Sequence, residues 1–116
     1  DVLRVYANSR LDIGRKLFDT KNLDLAEKYF RIANKLQPEQ SDSMLQLGLV
    51  LLEKNSCEEA GFIFGELKNF YKDSSAVYLA LSLYFEQCIH DSVKSKEYQQ
   101  LYQEKLMKNK TKLDSF

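Results

Sequence analysis

Residues 44–71 read MLQLGLVLLEKNSCEEAGFIFGELKNFY, and the fold turns on how this stretch is divided. Met44, Leu47, Gly48 and Leu51 recur at the spacing of one helical face, and Ala60, Ile63, Phe64, Leu67 and Tyr71 do so again. Between the two sets lies only Lys54-Asn55-Ser56, too short for anything but a turn between antiparallel neighbours. Ser56 followed three residues on by Glu59 predicts a capping box at the second helix. The stretch therefore predicts a helical hairpin.

Working outward, a shift of 34 residues superimposes Ile13-Gly14 on Leu47-Gly48, Leu17 on Leu51, Ala26 on Ala60 and Phe30 on Phe64. A second shift reaches Leu81-Ser82, Phe85, Lys94, Tyr98 and Leu101, a weaker third copy. The copies span residues 7–40, 41–74 and 75–109, with a basic tail over 105–116, and together they make one domain of 1–116. Pro38 with Ser41-Asp42, and later Asp73-Ser74-Ser75, separate one hairpin from the next, while Asn22 and Asp91 are candidate N-caps within them. Helices are expected near 3–20, 23–36, 42–54, 57–72, 75–89 and 92–109.

Within a hairpin the small residues have a packing role. Gly14 and Gly48 face Ala26 and Ala60 where two helix axes cross, and Phe30 and Phe64 fill the space one turn further on. Gly61 and Gly65 are expected to serve close helix packing rather than dimerisation.

Composition narrows the function classes. The chain has 116 residues, 44% apolar and 29% charged, enough for one real core. Lysine plus arginine and aspartate plus glutamate both total 17, so no global field steers the protein to nucleic acid or an anionic membrane. Locally the balance runs from plus two over 1–40 (8 basic, 6 acidic) to minus five over 41–93 (3 and 8) and plus three over 94–116 (6 and 3). Lys105, Lys108, Lys110 and Lys112 form the only lysine cluster; with no aromatic residues interleaved they predict a solvated helix end, not a nucleic-acid platform. No apolar run approaches the roughly 20 residues of a membrane span. A start at Asp1 without a leader pattern is what is expected of a piece of a longer protein. Cys57 and Cys88 lack metal or redox spacing and are expected as reduced thiols in a cytoplasmic protein, Cys57 as a small packing residue.

The first two copies resemble tetratricopeptide repeats. Gly14, Leu17, Ala26, Phe30, Ala33 and Pro38 stand where that family's signature expects Gly, a large residue, Ala, Phe, Ala and Pro, and Leu47, Gly48, Leu51, Ala60 and Phe64 repeat most of it. Arg10 departs from a usual large apolar residue, Lys72 from the closing Pro, and the third copy has Ser82 for Gly and Lys94 for Ala, consistent with a divergent capping repeat. The resemblance implies an all-α, right-handed superhelical stack of antiparallel helix hairpins, an α-solenoid. It implies a binding scaffold that is not an enzyme and needs no cofactor or metal.

The resemblance also implies that the first helices of each hairpin line a concave groove. Leu45, Leu49 and Leu52 form a second apolar stripe on their helix, Leu79 and Leu83 (with Ala76) do so on the next, and the first copy offers Leu11, Arg15 and Phe18. Family members that hold the acidic tails of heat-shock chaperones use Lys and Asn in such places; here only Arg15 is basic, so that ligand is rejected. A leucine strip suits an apolar helix face or an extended segment of a protein partner, and Asp42, Glu53 and Glu86 at the edges favour basic flanks. Two alternatives compete: a small chaperone like those of type III secretion, and a self-associating module in which a second copy hides the leucines. The lone histidine, His90, has no second and third ligand for zinc and no suitably aimed partner for catalysis. Tyr98, Tyr102, Leu101 and Leu106 are expected on the inner face of the last helix, and Tyr6, Val2 and Leu3 at the start of the first.

Overall fold

The computed structural model describes residues 1–114. Among them the chain forms six α-helices and no strand: α1 (Val2–Asp19), α2 (Leu23–Leu36), α3 (Ser41–Glu53), α4 (Cys57–Phe70), α5 (Ser75–Tyr84) and α6 (Ser92–Asp114). A π-helical turn, Phe85–Ile89, follows α5 directly. Each helix packs on the next in sequence, and α1, α3 and α5 also touch one another in that order, which sets these three side by side.

The turns inside the hairpins are built alike. Lys21, Asn55 and His90 all take left-handed backbone conformations, at φ 65°, 61° and 60°. In the first two, the residue after this one reaches back five positions, Asn22 N–H to the Leu17 carbonyl and Ser56 N–H to the Leu51 carbonyl, both at 2.8 Å. In the third, Asp91 N–H bonds the Phe85 carbonyl at 3.0 Å, a reach of six. The spacing of left-handed residues is accordingly 34 from Lys21 to Asn55 and 35 from Asn55 to His90. One extra residue has entered the third hairpin, and the π turn absorbs it.

This corrects the alignment of the third copy. Ser95, not Lys94, occupies the place of Ala26 and Ala60: it is buried, as they are, whereas Lys94 is exposed. Its hydroxyl donates to the Ser82 carbonyl at 3.0 Å, so a small residue again meets a small residue where α5 and α6 cross. The glycines of the first two hairpins are equally constrained. A methyl group on Gly14 would lie 2.6 Å from Phe30 Cε1, and one on Gly48 2.5 Å from Phe64 Cε1, with both rings fully buried. Gly61 lies hard against the Tyr84 hydroxyl, joining α4 to α5, while Gly65 faces open space, so only half of that glycine pair serves packing.

Capping follows expectation in one place. Asp91 Oδ1 accepts from Lys94 N–H at 3.0 Å, but Ser56 and Asn22 make no side-chain cap bond. Glu59, expected to complete a capping box, pairs instead with Arg31 of α2 at 2.9 Å. Similar ties join successive hairpins: Lys54 to Asp24 and Glu27, Tyr71 to the Glu39 carbonyl, and Lys105 to Asp73. The last helix buries Tyr98 between Tyr78 and Phe85, with ring centroids at 6.3 and 5.3 Å. Leu101 and Tyr102 are half-buried, but Leu106 is exposed, as are Val2, Leu3 and Tyr6, because α6 and α1 both outrun the body they pack on. The tail stays helical to Asp114; residues 115–116 of the expected basic tail lie outside the described residues.

Candidate functional site

A cleft of about 370 Å³ opens along the C-terminal halves of α1, α3 and α5, lined by Phe18, Leu49, Leu52, Glu53, Leu83 and Gln87. It exists because three helices lie side by side while each also presents apolar residues away from its hairpin partner. One turn back along the same helix faces stand Leu45 and Leu79. Leu79 and Leu83 are 39% and 46% exposed and take no part in the core, whereas Phe18, Leu45 and Leu49 are half-buried against it.

Two of the expected groove residues are largely buried in the core. Leu11 and Leu52 are each only 4% exposed and sit in the main core cluster. The side-by-side contact of the first helices covers the flank that carries them, so Leu52 contributes only its edge to the cleft floor. Arg15 is exposed and leans on Asp12 at 3.6 Å, outside the cleft lining. The eight expected residues thus resolve into a lining group of Phe18, Leu49, Leu52 and Leu83, a continuation at Leu45 and Leu79, and two that do not take part.

Gln87 is a lining residue that sequence reasoning missed. It comes from the π turn, and its side-chain amide donates to the Leu52 carbonyl at 2.8 Å and to Asn55 Oδ1 at 3.2 Å, closing one end of the cleft. The signal was available: Gln87 is the 34-residue successor of Glu53, which rims the same cleft and pairs with Lys21 at 2.6 Å. Asp42 and Glu86, also expected at the edges, are exposed on α3 and on the π turn.

Next to this end, Cys57 and Cys88 are joined in a disulfide, with Cα atoms 5.7 Å apart. The expectation of reduced thiols is therefore wrong. The bridge ties the first residue of α4 to the π turn across a sequence separation of 31, and it fixes the segment that presents Gln87. Elementary spacing rules do not reveal it, because what brings the sulfurs together is the docking of one hairpin on the next.

Two other depressions are lined mainly by polar and charged residues. One of about 800 Å³ lies over Asn55, Ser56, Cys57, Glu58, Glu59 and Phe62, an open surface where Phe62 alone supplies a large apolar group. The other, about 460 Å³, is edged by the ion-pair network of Glu27, Arg31 and Lys54. Partial burial works to raise the Glu27 pKa, but the hydrogen bonds from Lys54 and Arg31 outweigh it and leave this carboxyl below the ordinary 4.5. Asp73 is likewise held below its usual range, chiefly by the Lys105 hydrogen bond. His90 serves as the left-handed turn residue and is exposed. Among the described residues, no group of three or more His, Cys, Asp or Glu is placed to hold a metal ion, and no helix is long and apolar enough to cross a membrane.

Compared with known proteins, the chain matches no family model, and no curated protein matches it.

Proposed function

We propose that this chain is a tetratricopeptide-like module, three hairpins stacked into a right-handed α-solenoid, that holds an apolar segment of a partner protein in the cleft of α1, α3 and α5. It acts by binding, not by catalysis. The observation that carries this is the exposure of Leu83 in the cleft beside half-buried Phe18 and Leu49, with exposed Leu79 and half-buried Leu45 one turn back on the same helices. A strip of that kind offers an apolar helix face a place to lose its contact with water. Glu53 in the cleft lining, with exposed Asp42 on α3 and Glu86 on the π turn, favours lysine- or arginine-flanked segments and speeds their encounter.

The disulfide changes the favoured setting. A cytoplasmic location rested on reduced thiols, and a bridged pair is at home in an oxidising compartment instead. The scaffold reading is thereby preferred over a type III secretion-like chaperone, which works in a reducing cytosol.

The test is binding of a lysine-flanked amphipathic helical peptide with leucines at i, i+3 and i+7, followed by fluorescence anisotropy. Leu83→Asp should weaken binding at least about tenfold, while circular dichroism and melting stay close to the parent, because Leu83 is not part of the core. If Leu83→Asp binds as well as the parent, or if it unfolds the chain, the groove is not a binding site.

A further inference from the structure

The helix α6 is 23 residues long, against 14 for α2 and α4. In the 35-residue register of the third hairpin, Lys105 corresponds to Phe70, the last residue of α4, so residues 106–114 run about 13 Å beyond the packed body. This extension carries Leu106, Met107 and Leu113, which are 42%, 59% and 72% exposed, with Lys108, Lys110 and Lys112 between them and Asp114 at its end; Lys108 and Lys112 also act on Asp73 of their own chain. It is a helical segment of three apolar and three basic residues among nine, the two kinds of group the groove selects. The charge halves also match, minus five over 41–93 and plus three over 94–116.

We infer that the groove's occupant is the α6 extension of a second copy of this chain, whose Leu106 and Leu113 dock beside Leu79 and Leu83 while its lysines face Asp42 and Glu86. This rests on the groove reading and names its partner. The extension cannot reach its own groove. It leaves at the end of the α5–α6 hairpin opposite the turn, whereas the cleft lies beside the turn at Gln87, and α6 runs unbroken to Asp114. Groove and extension are different surfaces on each copy, so reciprocal exchange closes a dimer and one-way exchange builds chains. The other protruding apolar end, Val2, Leu3, Val5 and Tyr6 of α1, fits the acidic rim less well, since Asp1 caps that helix through Arg4 N–H.

The test is sedimentation of the full chain across a concentration series at low and high salt. Species of twice 13.6 kDa or more are expected to grow with concentration, and to dissociate more readily as salt screens the lysines. Leu83→Asp alone and the Leu106→Asp/Leu113→Asp pair alone should each give monomers with parental circular dichroism. Mixing the two should restore a complex, because one copy keeps its groove and the other its extension. Failure of the mixture to associate, insensitivity to either variant, or dissociation by Val2→Asp/Val5→Asp in place of the α6 pair would overturn the inference. A chain that stays monomeric yet binds the lysine-flanked peptide would sink this inference alone, and one that does neither would sink the groove reading with it.

Discussion

The first two hairpins and the third solve the same packing problem with different residues. In the former, a glycine without a side chain lets a phenylalanine ring press close against the helix, Phe30 at Gly14 and Phe64 at Gly48. In the latter, Ser82 and Ser95 meet through a hydrogen bond, and Tyr98 stacks between two aromatic rings instead of filling a glycine notch. One inserted residue separates the two solutions, taken up by the π turn and pinned by the Cys57–Cys88 bridge. The difference shows that a hairpin can lose the glycine and alanine of its neighbours and keep a close crossing, provided the register shifts by one residue.

The largest expected effect lies where the glycine–phenylalanine notch is emptied. Phe64→Ala should destabilise by about 3–5 kcal/mol in chemical denaturation, since the ring is fully buried and its glycine partner cannot refill the space. The bridge should come next. Replacing both cysteines by alanine frees a 31-residue separation in the unfolded chain and should cost about 2–4 kcal/mol, with hydrogen exchange rising first in the π turn and the start of α6. The register itself is tested by a pair of leucines: Ser95→Leu should overpack the third crossing by about 1–3 kcal/mol, as Ala60→Leu should the second, whereas Lys94→Leu should stay within about 0.5 kcal/mol. Equal effects at 94 and 95 would contradict the 35-residue spacing. The smallest effect concerns the ties between hairpins. Glu27 titrates below 4.5 in the fold, so its contribution is fully present at neutral pH and is lost as pH falls through the lowered value. Glu27→Gln should therefore cost about 0.5–1 kcal/mol near pH 7, with the difference from the parent vanishing in acid.

The hairpins were legible because each carries its own periodicity and its own turn, and the expected boundaries of α2 agree with the fold to the residue. A fixed spacing of 34 misplaces the third hairpin; the left-handed residues 35 apart, the π turn and the reach of the Asp91 N–H to Phe85 reveal the extra residue. Lys94 thus looked like a lost alanine when Ser95 had inherited the place. In the groove, Leu49 and Leu83 were readable as a second stripe on their helices, but helical spacing alone does not say which flank a neighbouring helix covers. That contact takes Leu11 and Leu52 into the core. The disulfide depends wholly on how the third hairpin docks on the second, and no local pattern announces it.

The central claim is that the leucines along α3 and α5 form a surface awaiting a lysine-flanked apolar segment. Methyl NMR on leucine-labelled chain, titrated with a peptide of residues 101–114, addresses it most directly. Shifts concentrated at Leu45, Leu49, Leu79 and Leu83, with the buried methyls of Leu67 and Leu81 unmoved, are the predicted result. Shifts spread evenly over the core, or confined to α1 and the outer face of α4, would contradict it.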